Sequence, residues 1–181
     1  MTNELNKTDH SAGKKQMVSF LLTIGKWKKY FSEYESKLLI AEALNYCVQM
    51  QSLRIRAYLI TGSELYLGLY MNPDIAHRVL MIFFEKIRRA LHAHLIINRG
   101  PGREPGNEEI LLLNDESYGQ LFSVRPFNNA ALINYLQGKK VHEPYYNRDL
   151  EYIKTLASGN DFCSLKDYTG ATGPVLIDIK P

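Results

Sequence analysis

Residues 53–70 read LRIRAYLITGSELYLGLY, two alternating runs of apolar and polar side chains joined by Thr61-Gly62-Ser63. A period of two places successive side chains on opposite faces of a β-strand. The Thr-Gly-Ser triplet supplies turn residues between the two runs. The stretch therefore predicts a β-hairpin.

The two faces of this hairpin are expected to differ in chemistry. Alternation places Leu53, Ile55, Ala57 and Leu59 of the first strand, and the leucines of the second, on one face that helices would cover. The other face is predicted to be open and to bind a partner, and it would carry Arg54, Arg56, Tyr58, Glu64, Tyr66 and Tyr70.

The segments around the hairpin add helices and further strands. Residues 17–24 form an apolar strand-like run, and residues 118–124 predict another strand. Ser32 and Glu35 have capping-box spacing at the start of a helix that ends near residue 51, and Asn72-Pro73 begins a helix that runs into the nineties. Asn128 or Asn129 can cap a further helix.

This order of elements predicts the α+β class, with a ferredoxin-like (split βαβ) domain whose antiparallel sheet has helices on one face. We expect a disordered tail over residues 1–15 and the domain over residues 16–158. Residues 159–181 would form a C-terminal extension packed on or near the domain.

Composition limits the classes of function. With 181 residues the chain fits one domain, and 45% apolar residues exclude a disordered protein. No apolar run approaches the about 18 residues that cross a bilayer, so we expect a cytoplasmic protein with no membrane partner. Cys47 and Cys163 have no metal-ligand spacing. The net charge of +3 permits a polyanionic partner without requiring one.

Two stretches resemble a known family. Residues 57–69, AYLITGSELYLGL, fit the frame A-Y-x-x-M-P-N-H-x-H-L-L-L without a gap, and residues 122–137, FSVRPFNNAALINYLQ, are similar to V-x-N…I-x-x-Y-I-x-x-Q. Both patterns are typical of single-tyrosine HUH transposases, including those associated with bacterial REP elements. The resemblance spans residues 17–140 and places Tyr135 in the slot of the nucleophile. It implies mobile-element DNA as partner, specifically structured single-stranded DNA bound by a homodimer.

The chain departs from the family at the metal ligands. Glu64 and Tyr66 stand where the family has its histidine pair, and Lys139 stands where it has a glutamine ligand. A carboxylate can still bind Mg²⁺ or Mn²⁺, but a neutral phenol is a poor ligand and a cation repels metal. We therefore expect no cofactor and a loss of strand cleavage, with Glu64 as a residual metal ligand and Mg²⁺ or Mn²⁺ needed only if catalysis is retained.

A second His-x-His sequence, His92-Ala93-His94, falls in the predicted second long helix. Side chains at i and i+2 of a helix diverge by about 200°, so this pair is not expected to chelate a metal.

The residues expected to bind nucleic acid fall into two groups. Arginine and tyrosine side chains neutralise phosphates and stack on bases. The sheet group consists of Arg54, Arg56, Tyr58 and Tyr66, and the second group consists of Lys86, Arg88, Arg89, Arg99 and Arg103.

Other interpretations stay open. The chain could be an active DNA transposase or nickase with an unusual site built on Tyr135, Glu64 and either His77 or His142. It could instead be a protein-interaction domain that uses the tyrosine-rich face. Structural roles compete at each position: Tyr135 as a packing residue, Glu64 as an ion-pair partner of Arg54 or Arg56, and the basic residues as solubilising charges.

Overall fold

A computed structural model of the chain describes residues 14–98, 106–107, 110, 118–142 and 145–179. Four strands form one antiparallel sheet in the order β2-β3-β1-β4. The predicted α+β class is confirmed. The strands are β1 (Gln16–Ile24), β2 (Ile55–Ile60), β3 (Glu64–Met71) and β4 (Phe122–Pro126).

Helices connect and cover the strands. Single 3₁₀ turns occupy Lys26–Tyr30 and Pro73–Ile75. None of the helices in the described ranges is long and apolar enough to cross a membrane. The helices are α1 (Glu33–Gln51), α2 (Ala76–Asn98), α3 (Tyr118–Leu121), α4 (Ala130–Leu136), α5 (Arg148–Ala157) and α6 (Leu165–Tyr168).

Capping side chains mark the starts of α1 and α4. Ser32 Oγ accepts from the Glu35 amide at 3.2 Å, and Glu35 Oε2 accepts from the Ser32 amide at 2.8 Å, which confirms the predicted capping box. Asn129 caps α4 by accepting from the Leu132 amide at 3.2 Å. These caps satisfy backbone amides that have no partner inside the helix.

One predicted strand begins later than expected. Residues 118–121 form the short helix α3 rather than a strand. The Leu121 carbonyl accepts from the Gly25 amide and from Trp27 Nε1, both at 2.8 Å, so the chain packs against the end of β1 before it enters the sheet. Strand β4 therefore starts at Phe122.

Helices cover both faces of the sheet, so the prediction of helices on one face is wrong. We call the side of Leu65, Leu67 and Leu69 the first face, and α1 and α2 pack on it. We call the side of Glu64, Tyr66, Gly68 and Tyr70 the second face. Its buried core contains Leu21, Ala57, Leu59 and Tyr66 of the sheet, Leu132, Ile133 and Leu136 of α4, and Leu150 and Ile153 of α5.

A β-bulge in β2 explains this second core. Ile55 pairs with Leu69 but Ala57 pairs with Gly68, which leaves Arg56 as an extra residue. A one-residue shift exchanges the two faces of a strand. Beyond the bulge, Ala57 therefore joins the second-face core, whereas Tyr58 joins the first-face core. The alternation in the sequence predicted the opposite.

The outer edge of β2 is closed by the end of the chain. The Ile60 amide donates to the Phe162 carbonyl and the Ser164 amide to the Tyr58 carbonyl, both at 2.9 Å, and the Asp178 amide donates to the Ile55 carbonyl at 2.8 Å. An unpaired strand edge is a site for unwanted association. Residues 160–178 supply the missing hydrogen-bond partners.

Ser164 links three parts of this arrangement. Its side chain is fully buried, accepts from the Tyr58 amide at 2.9 Å and donates to the Leu136 carbonyl at 2.7 Å. The hydroxyl thereby joins β2, the end of α4 and the C-terminal segment.

Replacing Ser164 with alanine is expected to lower the free energy of unfolding by about 2–4 kcal/mol, because both the Tyr58 amide and the Leu136 carbonyl lose a buried partner. Urea unfolding measures the change. Ser158→Ala, at an exposed position after α5, is the control and should be near neutral. Equal stabilities of the two variants would contradict the role given to the Ser164 hydroxyl.

Candidate functional site

The side chains of Glu64 and Tyr66 lie next to each other on the second face, as the strand prediction required. The Tyr66 hydroxyl donates to Glu64 Oε2 at 2.7 Å. The Tyr66 ring is 4% exposed and makes an edge-to-face contact with Phe127 at 5.3 Å between centroids. Burial raises the pKa of the Tyr66 phenol, and the hydrogen bond to Glu64 raises it further.

This pair is a poor metal site. The phenol of Tyr66 stays neutral, and its only proton is directed at the carboxylate that would have to bind the metal. No group of three or more His, Cys, Asp or Glu side chains in the described residues could hold a metal ion. Glu64 accepts a hydrogen bond from Tyr66. Arg54 and Arg56, which were suggested as its ion-pair partners, contact Asp178 instead.

Tyr135 lies on α4, over the second face, and packs partly buried against the second-face core. Burial raises the pKa of its phenol, as does the nearby Cys163, while Lys154 and Glu151 of α5 act on it with opposite signs. These surroundings stabilise the neutral phenol, as for a tyrosine that packs against a core.

The two suggested histidine partners of Tyr135 lie elsewhere. His77 is on α2, in the helical layer on the other side of the sheet, where it borders an apolar groove with Phe84 and Phe122. His142 is exposed beyond the end of α4. His92 and His94 lie within α2, which confirms that they form a helical pair.

A large groove opens on the second face, beside α4. It has a volume of about 1170 Å³, and its floor includes the first residues of β1. Three of the described residues that line it are cationic and none is acidic. Its polar lining comes from Gln16, Ser19, Arg54, Arg56, Tyr70, Asn128, Asn129, Asn134, Gln137, Lys139 and Tyr168. We call it the arginine groove.

Arg56, the extra residue of the bulge, lines this groove together with Arg54. Its guanidinium lies over the Tyr70 ring at 5.5 Å from the centroid, and its side chain is 15% exposed. Arg56 Nε is buried and has no hydrogen-bond partner among the described residues. Asp178 Oδ2 lies 3.3 Å from Arg56 Nη2 and 3.8 Å from Arg54 Nε.

Tyr58 and Tyr66, which were predicted to share this surface with the arginines, lie elsewhere. Tyr58 is fully buried on the first face, and its hydroxyl donates to Asp167 Oδ2 at 3.4 Å. Tyr66 is on the second face but lies under α4 and α5. The prediction of an open, tyrosine-rich face therefore fails for Tyr58, which the bulge turns inward, and for Tyr66, which helices cover, whereas Tyr70 lines the arginine groove.

The second basic group forms a separate surface on α2. Glu85 accepts from Arg88 at 2.8 Å and from Arg89 at 2.6 Å, and Lys86 Nζ lies 4.7 Å from the centroid of the Tyr46 ring. One carboxylate thus offsets part of the charge of two arginines. Arg99 and Arg103 lie outside the described residues.

Asp178 and the side-chain amides that line the groove were not among the predicted site residues. Residues 175–179 read VLIDI, a short apolar run that contains Asp178, and this run was the available signal for a segment that lies along a strand. Nothing local in the sequence showed that this segment would meet Arg54 and Arg56.

No protein-family model, no curated protein and no solved structure matches this chain.

The Tyr66 phenol is expected to remain protonated above pH 10, where an ordinary tyrosine is about half ionised. Replacing Glu64 with glutamine should lower its pKa only in part, because burial is the larger cause. Nuclear magnetic resonance of tyrosine labelled with carbon-13 at Cζ follows the titration, and Tyr66→Phe identifies the signal. An ordinary pKa for Tyr66 in the native chain would contradict its burial against Glu64.

Proposed function

We propose that this chain is a transposase-like DNA-binding protein that has lost metal-dependent strand cleavage and holds a single nucleic-acid strand in the arginine groove. The observation that carries the proposal is the convergence of Arg54, Arg56 and Lys139 in one groove, where Asp178 at its border offsets part of the charge of the two arginines. Fixed positive charge supplies most of the sequence-independent affinity for nucleic acid.

The polar lining of the groove suits a nucleic-acid strand. The side-chain amides of Asn128, Asn134 and Gln137 can donate to and accept from the edges of unpaired bases.

The loss of cleavage is supported by the Glu64–Tyr66 pair. A family member would hold its metal there, but here a neutral, buried phenol donates to the one carboxylate. Burial raises the pKa of the Tyr135 phenol and stabilises its neutral form. Binding without chemistry is the function that fits these residues.

The proposal also covers the type of α+β fold, the oligomeric state and the cellular location of the protein. We infer a ferredoxin-like arrangement because the order β2-β3-β1-β4 with α1 after β1 and α2 after β3 is compatible with two split βαβ units. A homodimer that acts in the cytoplasm on structured single-stranded DNA is what the family resemblance supports.

Binding is tested with a fluorescent hairpin oligonucleotide carrying a single-stranded arm. Arg54→Ala and Lys139→Ala are each expected to weaken it by about fivefold to tenfold and to reduce the salt dependence by about one phosphate contact. Both side chains are exposed or half-exposed, so the fold should survive.

Arg148→Ala, which removes an exposed arginine outside the groove, is the matched control and should bind as the native chain does. Arg89→Ala tests the separate basic surface on α2. Equal losses in Arg54→Ala and Arg148→Ala would exclude the groove as the site, and binding insensitive to salt would exclude a phosphate-contacting function.

Incubation of the chain with the same oligonucleotide and manganese is expected to give no covalent protein–DNA adduct. Denaturing electrophoresis detects such an adduct. An adduct that disappears in Tyr135→Phe but persists in Tyr152→Phe would establish the alternative, an active single-tyrosine enzyme with an unusual site.

A further inference from the structure

We infer that the carboxylate of Asp178 occupies the position of a phosphate group of the bound strand, so that the end of the chain competes with its ligand for Arg54 and Arg56. The inference rests on the proposed function, since it concerns the anion-binding part of the same groove. Arg54 and Arg56 bind one phosphate group of the strand, and the Asp178 carboxylate competes for the same position.

The Asp178 carboxylate lies at unequal distances from the two arginines. Its Oδ2 lies 3.3 Å from Arg56 Nη2 but 3.8 Å from Arg54 Nε, which is beyond hydrogen-bond range. Arg56 Nε, on the same guanidinium, is buried with no partner in the described part of the chain. A guanidinium presents paired N–H donors that two anionic oxygens can occupy together.

A phosphodiester suits these donors better than the carboxylate does. Its oxygens are spread over a tetrahedron, so one group can accept from Arg54 and from Nη2 of Arg56 together. The Tyr70 ring beneath Arg56 holds the guanidinium in place, at 5.5 Å from the centroid. Arginine held in this way binds phosphate with little further loss of freedom.

The backbone of the C-terminal segment is held independently of the carboxylate. The Asp178 amide donates to the Ile55 carbonyl at 2.8 Å, and the Leu176 amide donates to Asn45 Oδ1 at 2.7 Å. Asn45 Nδ2 in turn donates to the Pro174 carbonyl at 2.9 Å. These hydrogen bonds do not involve the Asp178 carboxylate.

The test compares Asp178→Asn with the native chain, using the fluorescent oligonucleotide and, separately, inorganic pyrophosphate. Asparagine keeps the size of the side chain and the backbone amide but removes the competing charge. The affinity of Asp178→Asn for the oligonucleotide is expected to rise by about fivefold. Asp161→Asn is the matched control, because it makes the same change of charge at an exposed residue that is paired with Lys166.

The outcomes separate the inference from the function on which it rests. If Arg54→Ala weakens binding but Asp178→Asn gains no more than Asp161→Asn does, the competitor role is wrong and the proposed function stands. If pyrophosphate binds Asp178→Asn more tightly than the native chain while no oligonucleotide binds either, the anion position stands and the nucleic-acid function falls. If neither probe binds either chain, both are wrong.

Discussion

The structure depends on the extra residue that β2 carries at Arg56. Without the bulge, regular alternation would send Tyr58 to the second face and Ala57 to the first. With it, the bulky tyrosine enters the first-face core, and the small Ala57 lies beside Gly68, where an added Cβ would come within 3.4 Å of Ile133 Cδ1. The close approach of α4 to the sheet follows from these two small residues. Arg56 itself lies over Tyr70, at the edge of the surface that α4 leaves uncovered.

The outer edge of β2 connects the fold to the groove. Its backbone groups find their partners in residues 160–178, a segment that crosses from α5 to the last described residues. Because Asp178 makes the final hydrogen bond of this series, its carboxylate lies at the two arginines. One structural requirement, a covered strand edge, therefore also fixes the electrostatics of the site.

The Glu64–Tyr66 pair has a structural role on the second face of the sheet. A metal site needs ligands with lone pairs directed at a common point and access for the ion. Here the phenol proton lies between the two side chains, and α4 and α5 cover them. The same strand geometry that would bring two ligands together instead brings a donor and an acceptor together, and the pair contributes to the second-face core.

The local sequence predicts the hairpin, the long helices with their caps, and the adjacency of Glu64 and Tyr66. These features depend on residues within a few positions of each other. The sequence did not determine which face of β2 each side chain occupies beyond residue 55. A bulge is decided by the pairing of two strands and by what packs on them, and the alternation of Arg56, Ala57 and Tyr58 contains no sign of it. The groove was likewise decided by tertiary structure, since Arg54 and Asp178 are brought together only when the end of the chain closes the sheet edge.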